Sequence, residues 1–298
     1  MRKWWSTLAL AMAGLLTAGL SAAGQTTSLE GVIDFHVHSG PDSRPRSVSD
    51  LEIARIAKRA GMRGLVLKNH FTMTADRAWL AMQEVEELEI FGGVALNHAV
   101  GGLNVEAVRQ LVAFSGGRGK VVWLPTFDAE FWMTRAGESG EFVPVMRNGR
   151  PDPALGEIFD VIAEHDLVLA MGHSSPEEVL ALIPEARRRG VDKILVTHGL
   201  GQDPTDAQVA QMAGQGAVIE LVWLAVANGE FTLADYAAAI RRVGASAFLL
   251  SSDFGQANNP LHPDGLSAFI EGLLAEGISQ ADVDIMIRRN PARLLGLE

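Results

Sequence analysis

Two histidines separated by one residue stand at the end of the first apolar segment of the chain. Residues 32–40 read Val-Ile-Asp-Phe-His-Val-His-Ser-Gly, and Pro41 interrupts the segment directly afterwards. Because alternate residues of a β-strand point to the same side, the imidazoles of His36 and His38 leave such a strand together. Neutral imidazole is a common ligand of divalent metals. The pair therefore predicts half of a metal site at the C-terminal end of a strand.

Later apolar segments also end in polar side chains of the kind that bind metals or substrates. These side chains are Lys68, His70, His98, His173, His198, Glu220 and Asp253. The chain contains no cysteine, so thiolate ligands are excluded. Any metal must therefore be held by histidine, carboxylate or a modified lysine.

The elements that must position these residues follow a repeating pattern. Eight apolar runs rich in Val, Ile and Leu predict strands covered on both faces, at residues 31–38, 64–70, 91–98, 120–126, 167–173, 193–198, 217–223 and 247–253. Amphipathic segments between and after them predict helices at residues 50–60, 75–88, 105–115, 153–164, 176–189, 206–214, 233–243, 265–275 and 280–288.

Eight strand–helix units predict an α/β fold, a single-domain (β/α)8 TIM barrel. Right-handed crossovers and closure favour the barrel over a doubly wound sheet. In such a barrel the C-terminal ends of all strands meet at one face. The polar residues that end the strands should therefore converge, although they are far apart in the sequence.

Two segments stand apart from this pattern. Residues 1–23 predict a secretory signal peptide, with Arg2 and Lys3, an apolar run and small residues before a cleavage site after Ala23. The barrel would then span residues 24–298 and be periplasmic or secreted; an uncleaved anchor is the alternative. Residues 127–152 predict a lid-like insertion without regular structure, which contains Trp132 and Met133. A disordered surface insertion is the alternative there.

The charge of the chain limits its partners. The net charge is −11, from 25 basic and 36 acidic residues, without a tract rich in Lys or Arg. We therefore expect no nucleic-acid partner. Because no second long apolar run follows the N-terminal one, we also expect no stable membrane association once the signal peptide is cleaved. A small-molecule substrate is the expected partner, and a homo-oligomer remains open.

The order of the polar strand ends resembles the amidohydrolase superfamily of metal-dependent hydrolases over nearly all of residues 24–298. The resemblance rests on His36-x-His38 at the first strand, single histidines His173 and His198 at the fifth and sixth, and Asp253 at the eighth. The closing stretch Asn290-Pro-Ala-Arg-Leu-Leu-Gly is also similar to the superfamily's C-terminal helix.

The resemblance implies a metal-binding site. His36, His38 and Asp253 would bind one divalent metal, and His173 and His198 would bind a second or share the first. Zinc is the expected ion, with manganese or iron as alternatives. Asp253 would take the proton of the attacking water, and His198 or His173, whichever is not bound to metal, would polarise the scissile group. The implied function is hydrolysis of an amide, lactone or ester bond in a small, anionic substrate.

Two departures from the superfamily pattern keep alternatives open. The fourth strand ends in Pro-Thr126, without the lysine or glutamate that bridges two metals in binuclear members. Lys68 could substitute, or be a cation beside the site. His70 and His98 resemble instead the extra histidines of the polymerase-and-histidinol-phosphatase (PHP) phosphoesterases, although Asp253-Phe-Gly255 lacks that family's final histidine. An exported barrel that binds a metal or ligand without catalysis is the third alternative.

Substrate-binding residues are predicted near the metal pair. Arg44 and Arg46 follow it directly and could clamp a carboxylate or phosphate, or could be ordinary exposed arginines; Asp42 could order their loop by pairing with one of them. The strand-end residues Lys68, His70 and His98 complete this set. Decarboxylation of an unsaturated acid is a further reaction that such a site could support.

The remaining polar candidates have less defined roles. Glu220 could accept a hydrogen bond from a ligand histidine, or could pair with Lys68 inside the barrel. His165 and His262 lack a strand-end position, so we expect both on the surface, although His262 could instead line the pocket.

Overall fold

Eight parallel strands form a single sheet that closes into a barrel. The computed structural model describes residues 27–298, so the predicted signal peptide lies outside the described residues. The strands are β1 Ile33–Val37, β2 Gly64–Leu67, β3 Glu89–Ala95, β4 Gly119–Trp123, β7 Val168–Ala170, β8 Lys193–Val196, β9 Val218–Val222 and β10 Phe248–Ser251, paired in that order. A two-stranded hairpin, β5 Met146–Arg147 and β6 Arg150–Pro151, lies outside the barrel.

The barrel closes between its first and last strands. The backbone N–H of His38 donates to the carbonyl of Phe254 at 2.9 Å, and the N–H of Asp253 donates to the carbonyl of His36 at 3.0 Å. The prediction of a single-domain (β/α)8 barrel is confirmed. Closure also brings the His36-x-His38 pair next to Asp253, at opposite ends of the sequence of the domain.

Helices surround the sheet and join its strands. They are α1 Asp50–Arg59, α2 Ala75–Glu84, α3 Val105–Ala113, α4 Glu130–Ala136, α5 Ala154–Glu164, α6 Pro176–Arg188, α7 Asp206–Gly214, α8 Trp223–Ala227, α9 Leu233–Val243, α10 His262–Ala275, α11 Gln280–Asp284 and α12 Asn290–Leu295. A π-helical turn, Ile285–Arg289, joins the last two, and 3₁₀ turns occupy His98–Val100 and Ala245–Ala247.

Local sequence sets where several helices begin. The hydroxyls of Ser49, Ser175, Thr205 and Thr232 accept the backbone N–H three residues later, and the side chain at that position bonds back to the cap. These reciprocal bonds satisfy N–H groups that have no partner within the helix. No helix within residues 27–298 is both long and apolar enough to span a bilayer.

All eight predicted barrel strands are present. His36 lies within β1 and Glu220 within β9, whereas Lys68, His173, His198 and Asp253 lie beyond the ends of their strands. β8 ends at Val196, two residues before His198, and β10 ends at Ser251, two residues before Asp253. His198 and Asp253 adopt φ angles of 48° and 53°. This left-handed region is incompatible with a strand, so both side chains are carried on sharp turns at the barrel mouth.

Two expectations from the sequence need correction. Residues 127–152 contain regular structure, namely α4 and the β5–β6 hairpin. His262 is buried rather than exposed, because it begins α10 and its Nε2 bonds the carbonyls of His38 at 3.1 Å and Phe254 at 2.8 Å. It thereby ties the loop after β1 to the loop after β10. His165 is exposed, as predicted.

Candidate metal centre

Three side-chain atoms converge at the mouth of the barrel. Nε2 of His36 and Nε2 of His38 lie 3.0 and 3.1 Å from Oδ1 of Asp253. The two nitrogens are 3.3 Å from each other. Ligands bound at about 2.0–2.2 Å to one ion, about 90–110° apart, lie roughly 3 Å or slightly more from one another. The three atoms therefore have the spacing of ligands that share a divalent cation.

The hydrogen bonds at Nδ1 of His36 and His38 determine which nitrogen of each ring carries a proton and which carries a lone pair. Nδ1 of His38 lies 3.0 Å from the carbonyl oxygen of Lys68, and Nδ1 of His36 lies 3.2 Å from Oε1 of Glu220. Both partners only accept hydrogen bonds, so each Nδ1 carries a proton, and the neutral form of each ring presents a lone pair at Nε2. Two lone pairs facing each other at 3.3 Å repel, unless a cation lies between them. The donor set therefore fits a metal ion.

Glu220 acts as an acceptor behind this cluster. Its carboxylate also accepts the Ser251 hydroxyl at 2.7 Å and the backbone N–H of His198 at 3.2 Å. Burial alone would raise the pKa of Glu220, but the nearby His36 outweighs burial and holds that pKa at about 2. Of the two partners predicted for Glu220, a histidine of the predicted metal site or Lys68, the structure shows hydrogen bonding to the histidine, His36.

Asp253, like Glu220, stays ionised although it is buried. Burial would raise its pKa, but the positive charge that His36 and His198 can carry holds the pKa of Asp253 well below its usual value. Its carboxylate is buried and faces both rings of the pair. A permanently charged carboxylate is the ligand type expected opposite two imidazoles.

His173 and His198 line the same mouth. The His198 ring stacks on His36 with centroids 4.9 Å apart, and the His173 ring is 5.1 Å from His198. Nε2 of His198 lies 3.1 Å from Oδ2 of Asp253, but the angle is unsuitable for a hydrogen bond. Neither ring nitrogen of the buried His173 has a hydrogen-bond partner within residues 27–298. Such nitrogens are expected to bind a metal, a substrate or water.

A glycine allows His173 to reach this position. Gly172 has a φ of 61°, and a Cβ there would collide with the carbonyl oxygens of Leu124 and Pro125. The turn after β7 therefore requires glycine. Burial, and then the charge of His198, also hold the pKa of His173 well below its usual value. His173 is neutral and available as a ligand or acceptor.

Arg44 and Arg46 lie on one wall of a cavity of about 230 Å³ in front of the cluster. Arg46 forms an ion pair with Asp42 at 2.6 Å, which confirms the expected role of Asp42. The Arg44 guanidinium lies over the Phe127 ring, 4.3 Å from its centroid. Both arginines are therefore near the mouth, as the sequence predicts.

Lys68 is buried rather than accessible from this cavity. Its side chain is among the largest fully buried ones, 5.5 Å from the Trp123 ring, and Nζ has no hydrogen-bond partner in the described part of the chain. Burial lowers the pKa of Lys68 to about 8, although Asp253 and Glu220 act in the opposite direction. The buried ammonium offsets part of the negative charge of these two carboxylates.

His70 and His98 were expected together but are separated. The buried His70 lines the cavity, stacks on Phe127 at 3.8 Å and places Nδ1 2.9 Å from the hydroxyl of Thr126. His98 does not join the cluster. It is exposed in a 3₁₀ turn, and its Nε2 lies 3.0 Å from the carbonyl of Glu141. Asn97 takes the inward position after β3 instead, where it donates to Thr126 Oγ1 at 2.6 Å.

Sequence reasoning missed Asp34. It is fully buried, and its carboxylate accepts the Ser252 hydroxyl at 2.5 Å and the backbone N–H groups of Ser252 at 3.0 Å and His36 at 3.2 Å. Desolvation raises the pKa of Asp34 to about 6. The available signal was an acid inside an apolar strand, two residues before the first histidine. Asp34 supports the turn that carries Asp253.

Solved structures share this architecture. They include an amidohydrolase from Pseudomonas aeruginosa, 13% identical, covering 89% of this chain and 95% of that chain with a TM-score of 0.60. An organophosphorus hydrolase from Deinococcus radiodurans is 15% identical; the match covers 90% of this chain and 93% of that chain, with a TM-score of 0.63. A third structure comes from the engineering of organophosphate hydrolysis activity from a weak promiscuous lactonase template. It is 16% identical, and the match covers 90% of this chain and 97% of that chain with a TM-score of 0.61. The predicted resemblance to the amidohydrolase fold is confirmed.

Sequence comparison gives a family without an assigned activity. No curated protein matches the chain. A family model described as "Family of unknown function (DUF6282)" matches residues 31–220. The match runs from the start of β1 into β9, and so includes the paired histidines, His173, His198 and Glu220. The chain therefore belongs to the DUF6282 family.

Proposed function

We propose that this chain is a metal-dependent hydrolase that acts on an amide, lactone or ester bond of a small anionic substrate. The observation that carries the proposal is the triangle of His36 Nε2, His38 Nε2 and Asp253 Oδ1, with sides of 3.0–3.3 Å. The likeness in fold to structures described as an amidohydrolase and an organophosphorus hydrolase supports the same conclusion.

The three atoms would hold one divalent ion, for which we propose zinc, with manganese or iron as alternatives. His173 and His198 would hold a second ion or bind substrate beside the first. When bound, the ion supplies Lewis acidity, which lets water ionise near neutral pH and polarises a substrate oxygen. All the ligand side chains are already oriented by hydrogen bonds or by packing, so little rearrangement is needed.

Protein groups would move the protons. Oδ1 of Asp253 faces the histidine pair and Oδ2 lies beside His198, and we assign to Oδ2 the proton of the attacking water and its later transfer to the leaving group. His198, 3.1 Å from that oxygen, would donate to the scissile group at Nε2. Trp132 lies over His173 with ring centroids 4.9 Å apart, and would shield the reacting groups from bulk water.

Metal content and turnover, measured on the same purified protein, test this proposal. We expect bound metal, loss of activity on chelation and recovery with zinc, on a panel of amides, lactones, esters and phosphoesters. His36→Ala/His38→Ala should lose metal and turnover together. His165→Ala, an exposed histidine, is the matched control and should retain both.

Each contrary result has a definite meaning. Full activity in the double variant or after chelation would exclude the mechanism. Turnover of phosphoesters alone would favour the PHP-like alternative, whereas metal binding without any turnover would favour the non-catalytic barrel.

We further propose that the protein acts in the periplasm or outside the cell. The support is the order of features at the N-terminus, where the basic residues Arg2 and Lys3 are followed by an apolar run and then by small residues. N-terminal sequencing of the protein from fractionated cells should begin at Gly24. A cytoplasmic protein that still begins at residue 1 would contradict this proposal.

A further inference from the structure

Two adjoining cavities open beside the candidate metal centre. The first, of about 230 Å³, contains Arg44 and Arg46 and is called here the arginine lobe. The second, of about 190 Å³, contains Gln202 and Asn228 and is called the amide lobe. Four residues line both lobes: Trp132, His198, Leu224 and Asp253. The lobes therefore meet at Asp253 and His198, where the proposed chemistry takes place.

The arginine lobe is suited to an anion. The side chain of Arg46 is 7% exposed and is held in place by Asp42. Arg44 lies over Phe127 and takes part in no ion pair among the described residues. A guanidinium that is positioned but unpaired is available for a ligand carboxylate. Gln256 adds a side-chain amide to the same wall.

The amide lobe has a different character. It contains no basic side chain among the described residues that line it except His198, and its walls include Val222, Ala225 and Tyr236. Gln202 is 5% exposed, and its Oε1 has no hydrogen-bond partner within residues 27–298. A buried amide oxygen without a partner is costly unless a ligand or water donates to it.

The rim of the amide lobe disfavours a second anion. Glu230 lines this lobe, and Asn228 Nδ2 donates to its Oε1 at 3.4 Å. A ligand carboxylate here would meet a carboxylate of the protein, and like charges at short range repel. An uncharged group with N–H donors would instead bond with Gln202, Asn228 and Glu230.

We propose, on the basis of the function proposed above, that the substrate has two unlike arms. One arm carries a carboxylate that binds Arg44 and Arg46. The other carries an uncharged carboxamide-type group that binds Gln202 in the amide lobe. The reacting bond lies between the arms, beside Asp253 and His198. Each lobe is smaller than the roughly 300–1,000 Å³ of pockets for drug-sized ligands, so each arm has only a few non-hydrogen atoms.

Three probes of matched length separate the contributions of the lobes. Succinamate carries one carboxylate and one amide, succinate carries two carboxylates, and succinamide carries two amides. Calorimetric titration of the metal-loaded protein should show succinamate binding about tenfold tighter than either relative, the worth of one charge-assisted hydrogen bond.

Variants then assign each arm to its lobe. Arg44→Gln should weaken succinamate about tenfold and leave succinamide unchanged. Gln202→Leu should abolish the preference for succinamate over succinate, and the exposed Asn228→Ala should reduce it even if Gln202→Leu fails to fold. Glu230→Gln should tighten succinate binding. Glu164→Gln, an exposed acid at the opposite end of the barrel, is the matched control and should change nothing.

The proposal fails if the three probes bind equally or not at all, or if Arg44→Gln weakens succinamide as much as succinamate. Binding is measured without turnover, so this failure appears as lost selectivity. Failure of the proposed hydrolase function would appear instead as absence of catalysis by the metal-loaded protein, which these titrations do not require.

Discussion

The carboxylate of Glu220 on β9 lies within hydrogen-bonding distance of the His36 ring on β1, although strand β10 lies between these two strands. Its Oε1 lies 3.2 Å from Nδ1 of His36, while Nε2 of the same ring faces Asp253 at 3.0 Å. One imidazole thus connects a carboxylate behind the cluster to a carboxylate within it. Carboxylates bonded to a metal-ligating histidine fix its orientation and raise its basicity.

Glu220→Gln should weaken metal binding without unfolding the barrel. The amide keeps the shape of the side chain but removes the charge that His36 faces, so we expect metal affinity to fall about 10–100-fold. Competition with a chromogenic chelator measures the change. Glu164→Gln is the control, and an unchanged affinity in Glu220→Gln would show that this contact does not tune the metal site.

Lys68→Met should stabilise the metal-free protein at neutral pH. Burial lowers the pKa of Lys68 from 10.5 to about 8, so the folded state binds the proton less well than the unfolded chain. The buried charge then costs about 3 kcal/mol of folding free energy below pH 8, and this cost disappears as the pH rises from 8 towards 10.5.

Urea denaturation at two pH values tests this expectation. Lys68→Met should be more stable than the unchanged chain at pH 7, with a smaller difference near pH 10. Lys58→Met, an exposed position on α1, should show little difference at either pH. A less stable Lys68→Met protein at pH 7 would mean that the ammonium contributes more to the fold by pairing with acids than it costs by burial.

Thr126→Val should destabilise the loops at the barrel mouth. The Thr126 hydroxyl accepts from Asn97 Nδ2 at 2.6 Å and lies 2.9 Å from Nδ1 of His70. Valine would remove one hydrogen bond from each of these buried partners, although Asn97 Nδ2 keeps its bond to the carbonyl of His70, at a cost of about 1–3 kcal/mol. Thermal unfolding should show the loss, and Thr126→Ser, which keeps the hydroxyl, should recover most of it. Equal loss in both variants would assign the effect to the methyl group instead.

Gly172→Ala should destabilise the protein and displace His173. Alanine would combine an unfavourable φ of 61° with a collision against the carbonyls after β4, for a combined cost of about 1–3 kcal/mol or more. Gly149→Ala is a matched control, because Gly149 has a φ of 72° and a Cβ added there would meet no other atom within 4 Å. Calorimetry should show a larger fall in Tm for Gly172→Ala, and similar falls would mean that the turn can relax.

The sequence alone determined the barrel and much of the cluster. Buried parallel strands read as continuous apolar runs, and helices between them read as amphipathic segments with caps, so both patterns are local. His36, His38 and Asp253 could be identified because each follows directly on such a run. Once closure is assumed, one face is the only place where these residues can meet.

Tertiary structure decided which polar residues face that point. His98 and Asn97 are neighbours in sequence, yet the turn after β3 directs Asn97 inward, whereas His98 is exposed and contacts the backbone carbonyl of Glu141. Glu220 was compatible with two partners until the barrel placed His36 within reach. Asp34 was overlooked and His262 was expected on the surface, because Asp34 bonds Ser252 and His262 bonds His38, and each of these partners lies more than two hundred residues away in sequence. Local patterns fix the elements, whereas backbone turns and long-range contacts fix side-chain direction, which is what a binding site requires.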